Sequence, residues 1–353
     1  MKKYVIEAVA FPRRGTHYFA SQAPVDVAAI AKRIGYRPLY RRISQRNGMS
    51  SVLDLWLLLR LWLLPRGTVV LYQHPVYFSS WIHRQFLRVV QRRRLWLITL
   101  IHDLEMFRYP GADHEEREKG LFSCSQVVIA HNTQMMAYLQ DKGVPGDKLI
   151  DLQIFDYLLA PAPEDVQRET PVDGRSLIVA GNLSENKCGY LYQLLEDGAI
   201  PLDLYGVNFA HADDVDRYPT VRYHGAFPAP MLPHCIAGGF GLVWDGSSTT
   251  ACSGSFGEYL KINNPHKTSL YLASGLPVVI WRQAALAAFV EENGVGIAVD
   301  TLEEVGRRIR EIPEEAYAEM AQRAAALGVQ LQQGAYTTAA LQAAERLRTG
   351  EGP

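Results

Sequence analysis

The chain has 353 residues, 48% of them hydrophobic and 21% charged, with a formal net charge of −1. That composition excludes a disordered chain, a collagen-like repeat and a uniformly basic nucleic-acid binder, so no nucleic-acid partner is expected. The length suits two domains at roughly 100 to 200 residues each, both large enough to bury a core. Cys124, Cys188, Cys235 and Cys252 are scattered without CxxC spacing, which fits neither a disulfide framework nor a zinc site and points to a reducing cytoplasm.

The opening "MKKYVIEAVAF" starts basic, like a signal peptide, but Glu7 interrupts its short apolar run and Pro12, Arg13 and Arg14 follow. It reads as a first β-strand. The turn "PRRGTHY" comes next, with Gly15 allowing close backbone approach and Thr16 offering a hydroxyl where nucleotide-type sheets place their first ligand loop. Further strands are expected at "TVVLYQH", "LWLITLIHD" and "QVVIAH", with helices near 25–34, 50–64, 79–92 and 133–142 between them. This alternation is the βαβ pattern of a parallel sheet. The most apolar window, "LWLLLRLWLLP" from Leu55, falls short of the ~20 residues a spanning helix needs and is broken by Arg60.

Residues 156–175, with three prolines and no regular period, read as a linker. A second βα series follows, with strands at "SLIVAGN", "LDLYGV", "VRYHG", "FGLVWDG", "LPVVIW" and "VGIAVD". The tail from about Pro313 to Arg348 reads as two helices. The expected organisation is an N-terminal Rossmann-like domain over 1–155, the linker, a second Rossmann-like domain over 176–330 and a terminal helical segment over 331–353. Two such sheets with a cleft between them constitute the α/β architecture called GT-B. Charge divides along the same line. Met1 to Ala160 holds 22 Lys and Arg against 13 Asp and Glu, and the remainder holds 14 against 24. A basic half can face anionic lipid or an anionic acceptor, or be merely a solvated surface.

The most informative region runs from Phe240 to Trp281. A strand ends in Trp244-Asp245-Gly246, a Gly/Ser/Thr loop follows, and "NNPHK" opens a helix. Pro265 suits a first helical turn, which makes Asn264 the candidate N-cap and puts Lys267 inside that turn. A lysine there is repelled by the helix dipole unless an anion sits nearby, so Lys267 asks for a phosphate; its plain alternative is a solvent-pointing side chain. "AGNLSENKCGYL" repeats the strand, loop, helix form with Asn182 and Lys187. Between the two, Tyr205 ends a strand and is read either as a base contact or as core. In the first half, His102 and Asp103 end an apolar strand, with Glu105 and Arg108 nearby. Either could take the proton of an acceptor hydroxyl, or Asp103 could cap a turn over a buried His102. The ten histidines show no HxxxH or HExxH spacing, so no catalytic metal or other cofactor is expected.

With "GNLSENK", "GLVWDG" and "NNPHKTSLYLASGLPVVIW" in this order, the chain resembles bacterial β-1,6-galactofuranosyltransferases. More distantly it is similar to the glucosyltransferase that extends the glycan of streptococcal serine-rich adhesins. The resemblance implies a GT-B fold, a UDP-sugar donor on the C-terminal domain, an acceptor glycan on the N-terminal domain and metal-independent transfer. It implies that Asn264 and Lys267 contact the diphosphate, that Tyr205 lies beside the uridine and that Thr16 belongs to the first ligand loop. Lys187 stands near the place of an arginine in the adhesin enzyme. Eight residues after Glu258 comes His266, so the EX7E carboxylate pair of many retaining enzymes is missing, which leans toward inversion. The expected activity is hexosyl transfer from a UDP-sugar to a glycan on a lipid or protein carrier. It is expected in the cytoplasm, with peripheral membrane contact through the basic half and a homo-oligomer as a possible assembly. A sugar-nucleotide epimerase and an inactive partner subunit are the alternatives.

Overall fold

The computed structural model describes residues 2–10, 22–43, 49–162 and 168–350. They form two compact units, one of residues 1–152 with 336–353, the other of residues 153–335.

The first unit holds strands β1 (Lys3–Ala10), β2 (Arg37–Ile43), β3 (Val69–His74), β4 (Trp96–Ile101), β5 (Val127–Ala130) and β6 (Leu149–Asp151). Its helices are α1 (Gln22–Arg33), α2 (Met49–Trp62), α3 (Ser80–Arg93), α4 (Glu105–Arg108), α5 (Ala112–Cys124) and α6 (Thr133–Asp141). The sheet is parallel, in the order β2-β1-β3-β4-β5-β6. Right-handed crossovers put α1 on one face and α2, α3 and α5 on the other. Every residue of β3 is buried, as the continuously apolar strand pattern requires when helices cover both faces.

β2 carries no strand signal in the sequence, because Arg37, Arg41 and Arg42 break the apolar pattern. It forms because it is an edge strand with a single neighbour, and because Arg41 is buried against Asp54 of α2 at 2.7 Å. α5 is likewise unannounced: six charged residues in "ADHEEREKGLFSC" dilute the helical period, yet Leu121 and Phe122 anchor it in the core.

The second unit holds β7 (Leu177–Asn182), β8 (Leu202–Val207), β9 (Val221–Tyr223), β10 (Phe240–Val243), β11 (Val278–Trp281) and β12 (Gly296–Val299). All six coincide with strands expected from the sequence. They lie parallel in the order β12-β11-β10-β7-β8-β9. Its helices are α7 (Glu185–Asp197), α8 (Leu232–Cys235), α9 (Gly254–Tyr259), α10 (His266–Ala273), α11 (Ala287–Glu292), α12 (Val305–Glu311) and α13 (Glu314–Gln333). Of the stretch read as a linker, Asp156, Tyr157 and Leu158 are buried in this unit, where the Tyr157 ring stacks on His266 at 4.8 Å. The last helix, α14 (Ala335–Thr349), packs into the first unit, with Glu345 paired to Lys3 at 2.9 Å. All four cysteines are buried free thiols. Among the described residues, no helix is long and apolar enough to cross a membrane.

Candidate active site

In the second sheet the chain runs from β7 to β8 and β9 in one direction, then returns to β10 on the other side of β7. Where winding reverses, the loops leaving the two strands diverge and open a crevice at their carboxyl ends, the usual ligand position in open α/β sheets. Asn182 ends β7 at this point, and Trp244-Asp245-Gly246 follow β10. Gly246 has a φ of +114°, and a Cβ there would meet the Ser253 backbone nitrogen at 2.7 Å, so the loop closes on itself only with glycine.

Lys267, in the first turn of α10, reaches the same point. Its Nζ donates to Asp245 Oδ1 at 2.8 Å and to the Trp244 carbonyl at 3.2 Å, and the two side chains are only 17% and 12% exposed. Burial pulls the Lys267 pKa down, but the Asp245 carboxylate leads a set of neighbours that outweigh it, and the net shift is upward. The side chain is therefore a cation at neutral pH. An ammonium carries three N–H donors, and these two contacts leave one for a ligand oxygen.

Lys187 lies in the first turn of α7, with its Nζ 5.8 Å from the ring centre of the exposed Phe256 on α9. Cys188 sits between these groups. Its thiol donates to the Asn182 carbonyl at 3.2 Å, and its charged neighbours are Lys267, Asp245 and Lys187. Burial raises that thiol's pKa, so it stays protonated. Asn182 is exposed, its Oδ1 accepting from the Ser184 N–H and from Asn208, both at 3.1 Å. Asn182, Lys187 and Lys267 thus gather at the carboxyl end of the central strands of the sheet.

Two other expected contacts are placed differently. The N-cap of α10 is Pro265, without a side-chain cap, while Asn264 is buried and donates to the Gln153 carbonyl at 3.0 Å. Its amide ties the start of this unit to α10 rather than capping the helix. Tyr205 is wholly buried. Its ring stacks on His224 at 4.4 Å, and its hydroxyl bonds both the carbonyl and the N–H of Ala237. With its side chain fully buried and its hydroxyl bonded inside the protein, Tyr205 is core, the reading that its place in an apolar strand also allowed. Thr16, with the turn around it, lies outside the described residues.

In the first unit His102 and Asp103 follow β4. The His102 Nε2 lies 2.8 Å from Gln73 Oε1 on β3, and Asp103 Oδ2 accepts from Arg108 at 2.9 Å. Burial raises the Asp103 pKa above its ordinary value, and Arg108 pulls it part of the way back. The loop carrying Asp103 is held from behind by Glu118 of α5. Its Oε1 accepts from the Glu105 N–H and its Oε2 from the Met106 N–H, both at 2.8 Å, while His74 Nε2 lies 2.6 Å from Oε1. His74, Glu105 and Glu118 offer ligand atoms within 4.8 Å of one another. Three of the four lone-pair sites of Glu118 serve two backbone N–H groups and an imidazole, so the carboxylate clamps the loop.

Sequence reasoning named Lys267 but gave no role to its partner Asp245, although the aspartate stands at a strand's end. His74, the last residue of the run "TVVLYQH", likewise had no task assigned to it. Glu118 had no signal, being one acid among several in a charged helix.

Residues 3–154 match the glucosyltransferase 3-like N-terminal domain and residues 177–344 the glucosyltransferase 3-like C-terminal domain. The chain is 34% identical over 338 residues to beta-1,6-galactofuranosyltransferase WbbI of Escherichia coli K12, covering 94% of this chain and 95% of that one. It is 27% identical over 273 residues to glucosyltransferase 3 of Streptococcus gordonii, covering 77% of each. Among solved structures, Anabaena HepE in complex with UDP aligns with a TM-score of 0.61 at 13% identity, over 99% of this chain and 100% of that one. The fold is GT-B, two Rossmann-like α/β domains in tandem, and the chain belongs to the glucosyltransferase 3-like family.

Proposed function

We propose that the protein transfers a hexosyl unit, galactofuranose or glucose, from a UDP-sugar to a hydroxyl of a glycan on a lipid or protein carrier, with inversion at the anomeric carbon. The observation that carries this reading is Lys267, held as a cation by Asp245 where the second sheet reverses its winding. The names of its relatives agree with it: WbbI is a galactofuranosyltransferase, the streptococcal relative a glucosyltransferase, and HepE was solved with UDP.

On this reading the second unit holds the donor, with Lys267, Lys187 and Asn182 as nucleotide contacts, and the first unit binds the acceptor. Asp103, or His102 beside it, takes the acceptor's hydroxyl proton. The oxygen attacks the anomeric carbon from the face opposite UDP, and the bond from that carbon to the β-phosphate oxygen breaks. The charge developing on the departing diphosphate falls to Lys267 and the N–H groups at the start of α10. Because a protein cation already stands there, no metal ion is required. A lipid carrier would bring the protein to the cytoplasmic face of the membrane as a peripheral guest, through its basic first half.

The test is UDP release from UDP-galactofuranose and UDP-glucose in excess EDTA, with and without a glycan acceptor, followed by mass analysis of the product. Acceptor-dependent release that survives chelation is expected. An epimerised donor formed without acceptor, or activity only with added Mg²⁺ or Mn²⁺, would contradict the proposal.

A further inference from the structure

Helix α2 is apolar on two sides. Its inner side packs Leu57, Leu58 and Leu61 into the core, as a helix on a sheet should. Its outer side carries Val52, Leu55, Trp56, Leu59, Trp62 and, just past the helix, Leu63, each at least 43% exposed. Spacings of three and four put all six on one stripe. Helix α3 packs alongside and adds a parallel exposed row at the same spacing: Trp81, Arg84, Arg88 and Arg92. The rows are joined where the Arg93 guanidinium lies 5.6 Å from the Trp62 ring centre. Between Met49 and Arg94 stand seven arginines and a single acid, Asp54, which is buried against Arg41.

A contiguous apolar stripe left in water marks an interaction surface, and its chemistry selects the partner. A second copy of this face would bring two arginine rows together with no exposed acid from either helix to neutralise them, which disfavours a symmetric dimer. A bilayer with anionic lipid satisfies both rows. Leucines enter the acyl boundary, tryptophans suit the headgroup level, and arginines meet lipid phosphates. With 14 residues, α2 is about 21 Å long, which suits lying in the interface and is too short to cross it.

We propose that the α2–α3 face docks on an anionic lipid surface, with α2 lying in the interface and the α3 arginines on the headgroups. This rests on the peripheral membrane contact proposed above, names its surface and adds apolar insertion to what net charge alone would do.

The experiment is co-sedimentation of the full chain with vesicles of equal parts phosphatidylcholine and phosphatidylglycerol, against phosphatidylcholine alone, at low and high salt. The wild type should sediment with the mixed vesicles. W56S/L59S should lower the bound fraction about tenfold at both salt levels, and R84S/R88S should lower it at low salt only. Unchanged melting shows both variants folded, and UDP release to a soluble acceptor should persist in both, which tests the transfer reading separately. No sedimentation of the wild type would overturn the surface together with membrane contact. Sedimentation unchanged in both variants would overturn the surface alone. Loss of a dimer in W56S/L59S, from a protein that ignores vesicles, would make the stripe an interface between copies and sink the proposal.

Discussion

A lysine in the first turn of a helix is repelled by the helix dipole, yet Lys267 is held there by Asp245 at 2.8 Å, so its charge is compensated before a ligand arrives. Removing it has two separable consequences. Lys267→Ala should lower kcat by about 10² to 10³, the usual size for losing one contact to developing charge. It should also cost on the order of 1–3 kcal/mol of stability, less than the loss of a fully buried pair, because Asp245 is left without its partner. Adding Asp245→Ala should restore part of that stability, read by urea unfolding, and none of the turnover. A double variant that regains its rate would move the diphosphate contact to Lys187. The raised Lys267 pKa means the pair contributes fully below the ordinary lysine value and is lost only as pH climbs through the higher one. Asp103 titrates with the opposite consequence. Burial raises its pKa, so a base at this position is protonated, and lost, at a higher pH than an ordinary aspartate. The acid limb of the kcat profile should lie correspondingly high and disappear in Asp103→Asn, with kcat down about 10² to 10⁴ and UDP affinity intact. Normal turnover in that variant, with loss in His102→Gln, would transfer the role to the histidine.

At the scale of elements, the short helix α4 has no side-chain cap of its own, and its first N–H groups are satisfied by Glu118 from α5. That arrangement fixes the loop holding Asp103, so with Asp103 as the proposed base Glu118 would be its positioning residue. Glu118→Gln replaces one acceptor oxygen with an amide that donates toward groups already donating. It should cost about 1–3 kcal/mol and lower kcat at saturating donor and acceptor by about 10 to 10² through misplacement of the loop. UDP titration should give an unchanged Kd, since the clamp and the donor contacts are on different units. A stability loss with normal kcat would reduce Glu118 to packing.

At the scale of the molecule, both units share one acid-sensitive feature. Burial lowers the pKa of His83 to about 4, of His131 to about 3 and of His266 to about 4. Each is neutral in the folded chain and takes up a proton on unfolding below its unfolded value of about 6.5. The unfolded state therefore binds more protons between about pH 6.5 and 4, and stability falls as pH drops through that window, by at most roughly 1.4 kcal/mol per pH unit for each histidine. Urea unfolding at pH 7 and pH 5 measures it. An equal midpoint at both would show that these imidazoles titrate freely in the folded protein.

Much of this architecture was legible in the sequence because it is written locally. The strands of the second sheet are short apolar runs bounded by turn residues, and "NNPHK" announces a helix start next to a polar loop. Those patterns carried the α/β class and the repetition of the sheet, and with them the resemblance to a transferase family. What depended on residues distant in the chain was decided only by the tertiary structure. Lys267 meets an aspartate 22 residues away, and His74 a glutamate 44 residues away. Which strand ends face which helix starts follows from strand order, and strand order is not encoded in any one segment. The same reason turned Tyr205 inward and Asn264 toward Gln153. An aromatic or an amide at a strand or helix end serves a ligand or the core according to what packs over it, and burial is a property of the assembled fold.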